Sequence, residues 1–294
     1  MSVNINSTCM KYLERHMNEK KLNNLVYDLC HQNRHIISAG DFEEELIYTY
    51  RHSLRSTRGN LYEHVIRHYV SKDKRFDVVD NKSKYTLELK VASAVSDRVN
   101  EIICGIRSKS IDIRDVSTYN NILEELHELV INTPKTSLVR YKTQIDLLFI
   151  DKNDKSVYYY ELKTLDNNSN KSDLETLRSF LMIYCHLISE YKIIDINKIN
   201  VGIVYSLEDS SFTAKSYPMC SNGAMSFKEF CERFYTIDVA ESIIEEVHKC
   251  MNTYLDDNKP YFKKVNKVYH SSFKGKEFTK RQLISAVDSY SYKS

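Results

Sequence analysis

Asp146, Glu161 and Lys163, within IDLLFIDKNDKSVYYYELKT at 145–164, are of types and at a spacing that can do chemistry. Two carboxylates and an ammonium make a minimal set for metal-dependent phosphodiester hydrolysis. Hard oxygens hold Mg2+, and a cation stands beside the attacking water. One strand end seldom surrounds an ion, so one acid must come from a neighbouring strand. The stretch reads as two apolar runs around a polar turn, a hairpin turning near residue 153. Such a hairpin brings Asp146 opposite or close to Glu161. On a strand, positions i and i+2 share a face ~7 Å apart, so Glu161 and Lys163 look the same way.

The acid-x-lysine pattern is cheap on its own. It recurs at Glu19/Lys21, Glu88/Lys90, Glu190/Lys192 and Asp257/Lys259. The first, third and fourth of these fall on or beside helical sequence, where i and i+2 diverge. Glu88/Lys90 lies on strand-like sequence and, with Asp77 and Asp80, forms a rival arrangement. The sequence downstream favours the later pair: after Lys163 come a helix and an apolar strand that can extend the same sheet. A solvated edge strand with a salt bridge worth under ~1 kcal/mol is the plainer reading of Glu161 and Lys163. Against it stand Tyr158, Tyr159, Tyr160 and Leu162, which suit a central strand buried on both faces. An unpaired carboxylate there is costly unless a cation or cleft receives it.

The elements that must position these residues can be read by period. The first seventy or so residues are helical in spacing, with a break at SLRSTRGN (53–60) around Gly59. A new helix is expected from Asn60, with Asn60 and Glu63 as a capping box. Residues 74–79 and 85–92 read as strands around a polar turn, and 95–131 return to helical spacing. Strands are expected at Ile145–Ile150, Val157–Thr164 and 199–206, with a helix capped by Ser172 between the last two. SFKEF (226–230) carries a capping-box pattern, and a further helix is expected over 238–254. This order implies an α/β domain inside helical additions.

Composition sets the outer limits. At 294 residues the chain can bury a core in one large domain or two small ones. With 42% hydrophobic and 28% charged residues it is an ordinary soluble globule. No apolar run approaches the ~20 residues of a membrane span. MSVNINSTCMKYLERH lacks a secretory core, so a cytoplasmic location is expected. The seven cysteines contain no C-x-x-C pair, which disfavours a disulfide framework and a structural zinc site. His64 and His68 share a helix face without a third ligand, and no phosphate-binding glycine loop is present. A net charge of +2 decides nothing, because DNA-binding enzymes often segregate charge within a near-neutral total.

The order strand-Asp146, strand-Glu161-Leu162-Lys163, helix, strand resembles the PD-(D/E)xK nuclease superfamily, which includes many type II restriction endonucleases. Ile145 replaces the usual proline before the aspartate, a position where members vary. HSLRSTRGNLYEHVIRHYV, TQIDLLFIDKNDKSVYYYELKTLDNN, INVGIVYS and MSFKEFCERF are similar to the layout of TdeIII-type restriction enzymes over roughly residues 40–255. The resemblance implies a restriction-endonuclease-like α/β core, a central mixed sheet flanked by helices, with N- and C-terminal helical additions. It implies a single nuclease domain over 1–294: helical over 1–70, the catalytic core over 75–206, and helical over 207–294. Asp146, Glu161 and the carbonyl of Leu162 would hold Mg2+, and Lys163 would act on the attacking water and the phosphate. Glu63 matches an acid that many such folds place on the first core helix; capping is its competing role. The activity implied is sequence-specific cleavage of double-stranded DNA, at a GGNCC-like target, by a homodimer; the alternatives are a structure-specific or repair nuclease of the same fold and a non-catalytic nucleic-acid-binding protein. A cognate DNA methyltransferase would protect the host.

Residues 259–281, KPYFKKVNKVYHSSFKGKEFTKR, carry eight Lys or Arg against one Glu, interleaved with aromatics. Lys263, Lys264, Lys267, Lys274 and Lys276 are therefore candidate phosphate contacts through counterion release, or else a solvated tail. The aromatics can stack on bases or bury against the domain. Arg51, Arg55 and Arg58, ahead of Gly59, form a second basic stretch, in which Arg55 or Arg58 could track a phosphate or be an ordinary surface residue.

Overall fold

The structure, a computed structural model, describes residues 4–32, 39–79, 86–113, 115–135, 137–164, 173–206 and 224–290. At 32, 39–41, 55, 56, 58, 59, 116, 163, 164, 173, 205, 206, 224 and 237 it describes the backbone alone. The chain divides into two compact units, Ile66–Glu241 and Ser2–Val65 with Ser242–Ser294.

The first unit is built on a five-stranded sheet in the order β1-β4-β5-β6-β7. These strands are β1 (Phe76–Val78), β4 (Leu147–Asp151), β5 (Val157–Thr164), β6 (Ile199–Ser206) and β7 (Ala224–Ser226). β1 and β5 run antiparallel to β4, whereas β6 and β7 run parallel to β5. The sheet is thus mixed, flanked by helices, and consistent with a restriction-endonuclease-like fold. β5 is central, and its tyrosines divide by parity as a pleat requires. Tyr159 meets Phe180 of α6 (Asp173–Tyr191) at 5.3 Å between ring centres. Tyr158 and Tyr160 meet Phe234 and Phe230 of α7 (Phe227–Phe234) at 5.0 and 5.3 Å. A strand covered on both faces reads as a continuous apolar run. α6 is buried almost all round from Phe180 to Ile188, between the sheet and the helices α4 (Ser93–Arg107) and α5 (Val116–Asn132).

A second sheet has two antiparallel strands, β2 (Thr86–Ala92) and β3 (Leu138–Gln144). This corrects two expectations. Segments 74–79 and 85–92 do not form a hairpin: β1 pairs with β4, and β2 with β3. The expected strand from Ile145 starts later, at Leu147, because the chain leaves one sheet at Gln144 and enters the other across Ile145 and Asp146. Residues 157–164 and 199–206 are strands with the expected bounds. The Ser226–Glu229 capping box is present, with the Ser226 hydroxyl accepting from the Glu229 N–H at 3.1 Å. Ser172 lies outside the described residues.

The second unit is helical. It contains α1 (Ile5–His16), α2 (Glu19–Gln32), most of α3 (Ala39–Lys72) and of α8 (Ile237–Val268), and α9 (Lys280–Ser289). α3 runs without interruption through Gly59 and Asn60, so the expected break and capping box are absent. A glycine inside a helix costs only ~1 kcal/mol. Burial of Leu54, Thr57, Leu61 and Tyr62 around it outweighs that. α8 likewise continues past the expected end at 254 and through Pro260. The proline removes one backbone hydrogen bond. Buried Leu255, Phe262, Val265 and Val268 hold the helix on either side. The unit's core is aromatic: Phe42 stacks on Tyr269 at 4.6 Å, and Tyr50 meets Phe262 at 5.0 Å.

Candidate active site

Asp146 sits in the short passage between β3 and β4, one step beyond the registered pair Leu147↔Tyr160. Continuing that register puts it across from Glu161. The two strands are tied there by a side chain rather than by the ladder: Asp146 Oδ2 accepts the Leu162 N–H at 2.8 Å. In a strand the N–H and C=O of one residue project to the same lateral side. The contact therefore also turns the Leu162 carbonyl toward the Asp146 side of β5.

Two further interactions fix these groups. The guanidinium of Arg67, a buried residue of α3 in the first unit, donates to the Asp146 main-chain carbonyl. The Tyr159 hydroxyl donates to Glu161 Oε2 at 3.3 Å. Burial drives the Tyr159 phenol well above its ordinary value of 10.0, and the charges of Glu161 and Asp146 raise it further. The phenol thus keeps its proton and donates a hydrogen bond to Glu161. Glu161 shares the Tyr159 face of β5, two residues on, and the register continued from Leu147↔Tyr160 sets Asp146 opposite it. Asp146 and Glu161 are themselves half-buried, open enough to receive a ligand.

This donor set suits a hard divalent cation: two carboxylates and one carbonyl, all oxygen. Among the described residues no group of three or more His, Cys, Asp or Glu side chains could hold a metal ion. An ion here would keep several waters, as magnesium does when one or two carboxylates bind it.

The remaining expected residues divide clearly. The Lys163 backbone is in β5, in register with Tyr205, while its side chain lies outside the described residues. The side chains of Arg55 and Arg58 also lie outside them. Glu63 is half-buried in mid-α3, in the helical unit, so capping no longer competes for it. Lys263, Lys267, Lys274 and Lys276 are exposed in that unit, and Lys264 is half-buried. Of the aromatics among them, Phe262, Tyr269 and Phe278 are buried and offer no stacking face, whereas Tyr261 and Phe273 are half-buried. The rival arrangement is dispersed. Asp77 is exposed on the five-stranded sheet, ion-paired with Lys152 at 3.0 Å. Glu88 and Lys90 are exposed on the separate two-stranded sheet, and Asp80 lies outside the described residues.

Arg67 and Tyr159 are the positioning residues that sequence reasoning missed. Arg67 gave one usable signal, a cation within the apolar stripe Val65-Ile66-Val70. Tyr159 gave none beyond its place two residues before Glu161.

Comparison with known proteins identifies the family. A family described as "HinfI: Type II restriction endonuclease, HinfI" matches residues 1–254. The chain belongs to the HinfI family of type II restriction endonucleases. A curated relative, Type II restriction enzyme HinfI of Haemophilus influenzae, is 26% identical over 135 residues. That match covers 45% of this chain and 49% of the relative, so it spans about half of each. No solved structure matches. The family is thus of the restriction class that the motifs implied, under the name HinfI rather than TdeIII. The matched region includes Asp146, Glu161 and Lys163 and stops before the basic stretch at 259–281.

Proposed function

We propose that this chain is a Mg2+-dependent, sequence-specific endodeoxyribonuclease that cuts double-stranded DNA at the Asp146/Glu161/Lys163 centre. The observation that carries the reading is the 2.8 Å bond from the Leu162 N–H to Asp146 Oδ2. It joins an acid from one strand to the Glu161-Leu162-Lys163 segment of the next, as two-carboxylate hydrolysis requires. Family membership supports the same conclusion.

Asp146, Glu161 and the Leu162 carbonyl would hold the ion. When bound, it supplies Lewis acidity at the phosphate and lowers the pKa of a bound water. The rest falls to the chain. Arg67 holds the Asp146 backbone in place, and Tyr159 orients the Glu161 carboxylate. Lys163 orients the water and stabilises charge growing on the phosphate. For Glu63 the resemblance alone supports a role as an outer ligand or a partner to Lys163. Arg55, Arg58, Lys263, Lys264, Lys267, Lys274 and Lys276 would neutralise phosphates.

Cutting both strands of a symmetric site calls for a homodimer, and a cognate methyltransferase would spare host DNA in the cytoplasm. The GGNCC-like target came with the TdeIII-type layout and has no support in a match to the HinfI family. The target is therefore a short specific duplex sequence, which end-mapping of the cut products identifies. Lys163→Ala tests the centre. Cleavage of duplex DNA should fall by on the order of 10²–10³-fold with DNA affinity retained; unchanged cleavage rejects the site.

A further inference from the structure

The strand that delivers Asp146 belongs to the two-stranded ribbon. Its register pairs Thr86 with Gln144, Glu88 with Lys142 and Lys90 with Arg140. One face is committed to the core: Leu89, Val91 and Thr143 are buried, and the ribbon packs on α4 and α6. The other presents Glu88, Lys90, Arg140, Lys142 and Gln144, all exposed.

Two features set this face apart from an ordinary solvated surface. Lys90 stands directly across from Arg140. Side chains so placed have Cβ atoms ~5 Å apart, and like charges there destabilise the pairing. An anion lying across them removes that cost. The second feature is location, since the ribbon ends at Gln144, two residues before Asp146.

We propose that the exposed face of the β2–β3 ribbon enters the major groove of duplex DNA and reads base edges beside the cleaved phosphate. The inference rests on the nuclease reading of Asp146 and Glu161. A two-stranded ribbon fits the major groove, which is ~12 Å wide. Alternate residues on a strand lie ~6.8 Å apart, the rise of two base pairs at ~3.4 Å each. Gln144, Lys142 and Arg140 therefore address successive positions two base pairs apart, starting beside the acid. Their chemistry suits base edges: Arg and Lys donate to guanine, Gln pairs with adenine, and Glu88 accepts from cytosine. A surface that only follows phosphates has no use for a carboxylate among its cations.

The test uses the full chain in two assays. In the first, Arg140→Ala, Lys142→Ala and wild type bind a short random-sequence duplex over a salt series, with Ca2+ replacing Mg2+. In the second, wild type, Arg140→Ala, Lys142→Ala and Gln144→Ala cut a randomised duplex library with Mg2+, and the ends are sequenced. Binding should weaken about ten-fold in Arg140→Ala and Lys142→Ala, with a shallower salt slope. The end motif should relax at positions two base pairs apart, each variant at its own position. Arg140→Ala should melt no lower than wild type, since it loses a repulsive neighbour. Unchanged affinity and unchanged motif overturn the proposal; so does a uniform loss with the motif intact, which marks phosphate contacts alone. If wild type cuts nothing, the nuclease reading fails by itself. The binding assay then decides: a loss in the two variants supports the ribbon as the DNA face, and equal affinity overturns it.

Discussion

At the level of single residues, the centre depends on how Asp146 and Glu161 are held rather than on their presence alone. An acid-x-lysine triplet is common in this chain, and among the described residues only the one at Glu161 has its acid oriented by a buried hydroxyl and faced by a second acid across the strand. Tyr159→Phe isolates that support. The ring and its packing on Phe180 survive, while Glu161 loses a donor. Stability should change by no more than ~1 kcal/mol, measured by urea unfolding. Cleavage should slow, and more Mg2+ should be needed to reach half-maximal rate. A Tyr159→Phe enzyme with an unaltered Mg2+ requirement would remove the phenol from the mechanism. This support was not legible in the sequence, because Tyr158, Tyr159 and Tyr160 are the same residue type in one run. Their alternation between α6 and α7 sets which hydroxyl reaches the acids.

At the level of elements, the hairpin β4–β5, the following helix and β6 were legible, since their apolar runs are long and bounded by polar turns. β3 was not. LVRYKTQ alternates Val139, Tyr141 and Thr143 with Arg140, Lys142 and Gln144, a period of two hidden by its exposure. The breaks expected at Gly59 and beyond 254 fail for one reason, that tertiary burial outweighs a local propensity of ~1–3 kcal/mol. The ribbon's anchorage has its own signature. His186 of α6 is buried, and its Nδ1 accepts the Lys90 N–H at 3.2 Å. Burial holds its imidazole below the ordinary value of 6.5. The unfolded chain takes up that proton near 6.5, the folded chain only at lower pH. The unfolded state therefore binds more protons in that window, and stability falls as the solution is acidified through it. His186→Gln should flatten this part of the stability–pH curve measured by urea unfolding. An equally steep curve in the variant would assign the effect to other groups.

At the level of the whole molecule, the α/β class and helical additions could be foreseen from the order of periods. The assignment of 2–65 and 242–294 to one helical unit could not, because it joins segments far apart in sequence. The basic segment 259–281 changes character accordingly. Phe262, Tyr269 and Phe278 build that unit's core, and the exposed basic side chains are left for phosphate. Sedimentation of the chain with a short duplex carrying its mapped site should give two copies per duplex if cutting is two-fold. A single copy that still cuts both strands would reject the homodimer.

The most direct test of the central claim is one digest of unmethylated plasmid DNA by wild type and Glu161→Gln, each with Mg2+ and with EDTA. Discrete bands should come from wild type with Mg2+ and from no other lane. Discrete bands from Glu161→Gln, or from wild type in EDTA, would contradict a metal held by Asp146 and Glu161.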